Sequence, residues 1–356
     1  MSGKKKVIQI AIFLAVMLLT FYALFSGRDL EEIARAVGRM SPLYLIPAVL
    51  LAVFFVCAEG LMIWYLLNAM GEKKNQVWRC IQYSFIGFFY SGITPSATGG
   101  QPVQLYYMNK DGNRVSDSTV VLMTVAVVYK FVLVIMGAGI LIFWYRPLTE
   151  ELNHYFPLFI LGLMLNVILV ILILGVMIFP EIIRRIALFF EKILIRMHIW
   201  KPSEKRLEKI DGFIGNYQQA VGWLGRHKGK LGGVVVLTFL QRCSVFVLTY
   251  MVYLGFGQTG SSALKVILLQ ASVYIAVDML PLPGAQGITE LMYQAVFAHV
   301  FAGAYLIPSM LVSRGINFYF LLVLSLAVVL VNRFVFDRRR ARPVDNLQKQ
   351  PYNTTR

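Results

Sequence analysis

The sequence has few of the residues on which soluble enzymes and small secreted proteins depend. Only three of its 356 residues are cysteine, and none has C-x-x-C spacing, which argues against a disulfide framework or a thiolate metal site. Its four histidines show no H-E-x-x-H spacing, and there is no P-loop, G-x-S-x-G or dinucleotide fingerprint. We therefore expect no catalytic residue, no metal ion and no cofactor.

Charged residues are also scarce, and the sequence contains long runs of apolar residues. Charged residues make up 15% of the chain and apolar residues 58%, and the mean hydropathy is +0.67. An uncharged run of about 18 or more residues can cross a bilayer as a helix, because a helix satisfies its own backbone hydrogen bonds. The sequence therefore predicts an all-α polytopic membrane protein with about six full spans, at 7–25, 43–69, 118–144, 155–179, 231–254 and 304–332.

The formal net charge of +16 could suggest a nucleic-acid partner, but the positions of the charges favour another explanation. Segments that share one predicted side of the membrane carry an excess of Lys and Arg, as the positive-inside rule requires of cytoplasmic segments. We therefore expect both termini in the cytoplasm and no nucleic-acid partner. The basic segments are 1–6, 70–79, 109–117, 181–230 and 333–356.

Two further apolar regions, 80–108 and 263–300, are interrupted by Gly and Pro. The flanking spans require each region to begin and end on one side of the membrane, which predicts two broken re-entrant hairpins in an inverted repeat, as in many transporters. The alternative is eight or more spans, in which Pro and Gly only turn the chain. The predicted organisation is a transmembrane domain, 1–335, made of a first half, 1–180, a cytoplasmic amphipathic insert, 181–230, and a second half, 231–335, followed by a basic cytoplasmic tail, 336–356.

Six ionisable side chains fall at membrane depth, where a charge costs roughly 2.5 kcal/mol or more unless it is paired or functional. Three are acidic and three are basic. The basic groups could bind an anionic head group such as a lipid phosphate, or all six could form internal salt bridges that fix the helix register. Both interpretations stay open for Glu59, Lys130, Arg242, Asp278, Glu290 and Arg314.

The two breaks carry distinctive motifs. Thr94-Pro95-Ser96-Ala97-Thr98-Gly99-Gly100-Gln101-Pro102 is followed by Gln104, and Asp278 precedes Leu280-Pro281-Leu282-Pro283-Gly284 and Gly287-Ile288-Thr289-Glu290. Over roughly 7–335, the chain resembles the lysylphosphatidylglycerol synthase transmembrane region, also described as a flippase-like domain family. Lys130, Arg242 and Arg314 lie where such proteins tend to carry basic residues.

The resemblance implies a protein of the bacterial cytoplasmic membrane that translocates or handles an anionic or aminoacylated phospholipid such as lysylphosphatidylglycerol. The full-length synthases also carry a soluble lysyltransferase domain, and 333–356 is too short to form one, so we expect no such activity from this chain by itself. The alternative is a membrane subunit that works with a separately encoded transferase in resistance to cationic antimicrobial peptides, and a structural scaffold is a third reading. The predicted substrate-binding residues are Thr94, Pro95, Ser96, Gly99, Gly100, Gln101, Gln104, Lys130, Arg242, Asp278, Pro281, Pro283, Gly284, Gly287, Glu290 and Arg314.

Overall fold

The computed structural model describes residues 30–70, 74–94, 97–179, 204–280, 285 and 287–332, together with a few single positions between 181 and 193. Within these ranges the regular elements are helices, so the protein is an all-α polytopic membrane protein. The predicted span 7–25, most of 181–203 and the tail 336–356 lie outside the described residues.

Five helices in the described ranges are long and apolar enough to cross a membrane, and they correspond to the five predicted spans that lie there. α2 is Pro42–Met70, α5 is Val115–Phe143, and α9 is Lys228–Gly255. The fourth consists of α6, Tyr145–Leu152, a short 3-10 turn, and α7, Phe156–Ile178. The fifth consists of α12, Gly303–Arg314, a π-helical segment, Gly315–Phe320, and α13, Leu321–Val331.

The two interrupted regions form two pairs of short helices. The first pair is α3, Val77–Gly92, and α4, Gly100–Lys110, and the second is α10, Ala263–Val277, and α11, Ile288–Phe297. The longest of the four has 16 residues and a length of about 24 Å, which is shorter than the roughly 30 Å hydrocarbon core. Members of each pair pack against each other, as expected for hairpins that turn back within the membrane.

The helix contacts repeat between the two halves. In the first half α2 packs on α3, α3 on α4, and α4 on α5, while in the second half α9 packs on α10, α10 on α11, and α11 on α12. α2 and α9, which hold equivalent positions, form the most extensive helix contact of the described protein. The contact of α3 with α13 in turn matches that of α5 with α10. This pattern is what a pseudo-twofold axis between α2 and α9 would produce.

Two amphipathic helices at the periphery also make equivalent contacts in the two halves. α1, Leu30–Gly38, packs on α12, and α8, Glu204–Arg226, packs on its counterpart α5. Tyr217 of α8 is buried, and its hydroxyl lies 3.6 Å from the sulfur of Met123. Burial raises the pKa of Tyr217 to about 12, so this side chain remains neutral.

Glycines allow the helices around the first hairpin to approach closely. A Cβ at Gly60 of α2 would lie within 2.8 Å of the backbone nitrogen of Ile81 in α3. A Cβ at Gly87 of α3 would overlap the side chain of Gln104 in α4. Small residues serve this purpose at helix contacts in membranes, where close backbone approach supplies much of the packing energy. Gly87 thereby leaves room for Gln104 to reach the interior of the protein.

Candidate functional cavity

A cavity of about 670 Å³ lies between the two halves. Both hairpin tips contribute to its wall, as do α2, α5, α9 and the end of α12. The tip residues that line it are Ala97, Thr98 and Gln101 in the first hairpin and Asp278, Met279, Leu280 and Ala285 in the second. The two sequence breaks therefore meet at one site.

The N-cap glycines of both short tip helices donate their backbone N–H groups within the protein. The N–H of Gly99 donates to the hydroxyl of Thr94 at 2.9 Å, and that hydroxyl donates to the carbonyl of Tyr90 at 2.6 Å. At the second tip, the N–H of Gly287 donates to the carboxylate of Glu290 at 2.7 Å, which caps α11. These two glycine N–H groups therefore hold the tips together and do not point to a ligand.

An ion pair joins the two halves at the cavity wall. Lys130 of α5 donates to Asp278, which follows α10, and the Tyr129 hydroxyl donates to the other oxygen of the same carboxylate. The Tyr129 hydroxyl also lies 3.2 Å from that of Tyr274. Since both charged side chains are almost completely buried, each neutralises the other in surroundings where neither could remain alone.

A second ion pair lies within the second half. Arg314, the last residue of α12, donates from Nε to Glu290 of α11 at 2.8 Å. The guanidinium also lies 4.9 Å from the centre of the Phe318 ring. Glu290 therefore receives both the helix cap and a charged partner, which explains how a carboxylate that is only 2% exposed is accommodated.

The third basic side chain of the cavity differs from the other two. The guanidinium carbon of Arg242 lies 4.5 Å from the centre of the Phe55 ring and 4.1 Å from that of Tyr129. Its Nη1 donates to the Tyr274 hydroxyl at 3.0 Å, while its buried Nε has no hydrogen-bond partner. Among the described residues, no carboxylate lies within ion-pair distance of it. Arg242 therefore keeps donor capacity and charge at the cavity wall.

Glu59 of α2 is the corresponding acidic group. Its Oε1 accepts a hydrogen bond of 2.7 Å from Nε2 of Gln104, and the side chain lines the cavity. Within the described ranges it has no ion-pair partner, although Arg242 is close enough to attract it electrostatically. The six charges that the sequence singled out thus form two ion pairs and two groups whose charges face the cavity.

Two of the contacts between the halves, α5–α10 and α3–α13, have the same topology but differ in chemistry near the hairpin tips. At α5–α10, the wall carries Lys130, Asp278 and two tyrosine hydroxyls. At α3–α13, the contact next to the tip is apolar, since Phe88 packs against Phe318 of the π-helical segment and Gly92 lies against Leu322. At the other end of α3, Arg79 donates to Asn332. We call these contacts the polar seam and the apolar seam.

Comparison with known proteins identifies the family. The lysylphosphatidylglycerol synthase transmembrane region matches residues 6–325. The chain belongs to that family. It is also 27% identical over 299 residues to a UPF0104 membrane protein of Pyrococcus horikoshii, a match that covers 80% of this chain and 87% of the relative. The resemblance drawn from the two tip motifs is thereby confirmed, and the lysylphosphatidylglycerol synthase transmembrane region provides the context for the cavity.

The predicted site residues fall into three groups. Several line the cavity, whereas Thr94, Gly99, Gly100, Gly287 and Glu290 shape the tips or hold a cavity residue in place. Pro95, Ser96, Pro281, Pro283 and Gly284 lie outside the described residues. Those that line the cavity are Gln101, Gln104, Lys130, Arg242, Asp278 and Arg314.

Several cavity residues are absent from the predicted set. The rings around Arg242 come from Phe55, Tyr129 and Tyr274, and Glu59 also belongs to the wall. Helical spacing could have found most of them, since Phe55 precedes Glu59 by four residues and Tyr274 precedes Asp278 by four. Side chains at that spacing share one helix face, so a charge at membrane depth identifies its neighbours as well.

Proposed function

We propose that this protein binds a phospholipid by its head group in the cavity between the two hairpin tips and moves it between the leaflets of the membrane. The observation that carries this proposal is Arg242, a buried arginine at the cavity wall with no carboxylate partner in the described part of the chain. A head-group phosphate would supply the missing anion.

The chemistry of Arg242 suits a phosphate group. A guanidinium offers donors in a planar fork that matches phosphate oxygens, and its weak hydration lowers the cost of burying it. The rings of Phe55 and Tyr129 hold the guanidinium from their faces. The unpartnered Nε is enclosed by protein, so a phosphate would approach the guanidinium from the side of its two Nη atoms.

The cavity is also suited to an amphiphile. A volume of about 670 Å³ is within the range of sites for small molecules, roughly 300–1,000 Å³. Its charged wall faces an apolar flank that α5 and α7 provide, and α7 also exposes apolar side chains such as Leu161, Ile168 and Ile171 on the outer surface of the protein. The apolar part of the lipid would lie against this flank inside the cavity, and the flank consists of Leu122, Val125, Ala126, Leu169 and Ile173.

The proposal also covers the identity of the lipid, the membrane and the orientation of the chain. The family name points to lysylphosphatidylglycerol or its anionic precursor as the lipid. A part in resistance to cationic antimicrobial peptides belongs to the same proposal. We place the protein in the bacterial cytoplasmic membrane with both termini inside, because its basic segments share that side. The family description also favours a second candidate, a membrane subunit that delivers lipid to or from a separately encoded lysyltransferase.

Lipid movement by the purified protein in liposomes tests the proposal. We expect the wild type to accelerate the transfer of head-group-labelled phosphatidylglycerol, of its lysyl form, or of both, and Arg242→Ala to lose most of that acceleration. Arg242→Lys keeps the charge but loses the planar fork, so it should retain part of the activity. Arg146→Ala removes an exposed arginine outside the cavity and should behave as the wild type.

Two results would contradict the proposal. Equal activity of the wild type and a correctly folded Arg242→Ala variant would show that the cavity arginine is not the head-group ligand. No acceleration of either lipid by the folded wild type would exclude autonomous translocation. If the wild type then moved lipid only after a purified lysyltransferase was added, the subunit candidate would be favoured.

A further inference from the structure

We infer that Glu59 is a proton site coupled to the ligand at Arg242: when an anionic head group binds in the cavity, Glu59 takes up a proton. This inference rests on the proposed function and extends it to the charge and the energetics of the lipid. After the two ion pairs at the cavity are counted, Glu59 and Arg242 form the remaining complementary pair of charges.

Basic and titratable side chains face Glu59 from several elements across the cavity. α9 presents Arg242, α5 presents Tyr129 and Lys130, and the end of α12 presents Arg314. Among the described cavity-lining residues, α3 presents no titratable side chain, and α8, which also touches α2, contributes none to the cavity wall. The remaining titratable groups at the wall are Tyr274, Asp278 and Tyr293, and Glu290 stands behind Arg314.

Lys130 and Arg314 are neutralised by Asp278 and Glu290, so neither changes the balance at Glu59. With Glu59 ionised, the six charges sum to zero, and the negative charge of Glu59 compensates that of Arg242. An anionic head group that binds Arg242 would leave Glu59 as an excess buried negative charge. Because an uncompensated charge in a low-dielectric interior is strongly unfavourable, the carboxylate would bind a proton instead.

The hydrogen bond of Glu59 is compatible with both protonation states. Its Oε1 accepts from the Gln104 amide whether the carboxyl is ionised or neutral, because the proton can reside on the other oxygen. An ammonium group such as that of Lys130 could not take the place of the Gln104 amide, because its positive charge would hold Glu59 in the ionised form. A neutral amide at this position therefore allows Glu59 to titrate.

The inference separates lipids by net charge. A lipid with a net charge of −1, such as phosphatidylglycerol, would bind with one proton. A head group that carries its own cation, such as phosphatidylcholine, could place that cation near Glu59 and bind without one. Protonation that accompanies binding of the anion would also let a transmembrane proton gradient bias the direction in which that lipid moves.

The experiment uses the full-length protein in detergent with dihexanoyl phosphatidylglycerol as the probe. Binding is measured by calorimetry across a pH series, and proton uptake by a pH dye in weak buffer. For the wild type we expect up to one proton taken up per bound lipid and an affinity that falls by up to about tenfold per pH unit as the pH rises through the titration of Glu59. Glu59→Gln should bind the same probe with no proton uptake and an affinity independent of pH.

Two controls sharpen the result. Glu151→Gln removes a carboxyl that pairs with Lys265 outside the cavity, and it should keep the proton uptake of the wild type. Dihexanoyl phosphatidylcholine should bind with little or no proton uptake. Binding of phosphatidylglycerol by the wild type without proton uptake, or with equal uptake by Glu59→Gln, would overturn the inference while leaving the proposed function intact. Absence of phosphatidylglycerol binding by the folded wild type would overturn both for this lipid.

Discussion

Ala97 and Ala285 adopt the same left-handed backbone conformation, with φ of 54° and 49°, one in each hairpin tip. Each alanine follows a proline by two residues, Pro95 or Pro283, and precedes the N-cap glycine of the next helix by two. The two halves therefore repeat the conformation of single residues at the tips as well as the order of their helices.

A left-handed conformation costs an L-residue roughly 1–2 kcal/mol, and glycine avoids this cost while losing about 0.4–1 kcal/mol through its flexible unfolded state. We expect Ala97→Gly and Ala285→Gly each to raise the free energy of unfolding slightly, by about 0.5 kcal/mol. Valine at either position should lower it by more than 1 kcal/mol, since a β-branched residue is a poor fit to positive φ. Thermal unfolding in detergent measures both effects.

Ala298→Gly is the matched control, because Ala298 has an ordinary helical φ of −56°. Glycine there should lower stability by about 0.5–1 kcal/mol. The prediction fails if glycine at the two tips is as destabilising as it is at Ala298.

The Lys130–Asp278 pair predicts strongly non-additive mutations. Lys130→Met or Asp278→Leu alone leaves an uncompensated buried charge and should lower the free energy of unfolding by about 3–5 kcal/mol. The double variant removes both charges and should lose less than either single variant. A double-mutant cycle from chemical unfolding in detergent measures the coupling.

The Glu151–Lys265 pair serves as the reference for this cycle. Its side chains are 18% and 32% exposed, so we expect a coupling of at most about 1 kcal/mol. Additive effects at Lys130 and Asp278 would show that the polar seam does not depend on their mutual attraction.

Gly87→Ala tests the close approach of α3 and α4. The added methyl group would overlap Gln104, so the Gln104 amide must move away from Glu59. Overpacking of this kind costs about 1–3 kcal/mol, and we expect a corresponding decrease in thermal stability. Gly139→Ala adds the same methyl group on α5, where nothing lies within 4 Å, and should be neutral or slightly stabilising. Similar stability of the two variants would contradict the tight packing at Gly87.

Variants of Glu290 separate its capping function from its charge. Glu290→Gln can still accept from the Gly287 N–H but no longer neutralises Arg314, whereas Glu290→Ala loses both interactions. A helix cap contributes about 1 kcal/mol, so alanine should be less stable than glutamine by about that amount. The loss that the two variants share reports the ion pair between Glu290 and Arg314. Equal unfolding temperatures for the two variants would show that the cap contributes little.

Sequence reasoning predicted much of this fold because helix length and apolar runs are local properties. Four of the five described spans begin and end within three residues of the predicted limits, whereas the fourth, Tyr145–Ile178, begins ten residues before the predicted start at 155. The helix pairs at 77–110 and 263–297 break at the Gly and Pro clusters. The π-helical segment at Gly315–Phe320 was not predicted, because nothing in its composition distinguishes it from the α-helix on either side.

The pairing of the charges could not be predicted in the same way. Composition shows that three acids and three bases balance, but not that Lys130 pairs with Asp278, 148 residues away, instead of with Glu59 in a neighbouring helix. That choice depends on which faces of α5 and α10 meet, a property of the assembled halves. For the same reason, the sequence could not distinguish Arg242 from Arg314 as the arginine without a carboxylate partner in the described chain.

Because one seam is polar and the other is apolar, the two lateral sides of the protein in the plane of the membrane differ in chemistry. An inverted repeat relates the two membrane faces to each other, and by itself it would leave the two seams equally accessible to lipid. Phe88 and Phe318 make one seam compatible with hydrocarbon, while the charges of Lys130 and Asp278 make the other costly for a lipid tail. A lipid that diffuses laterally through the bilayer would therefore meet one permissive and one forbidding side of the same molecule.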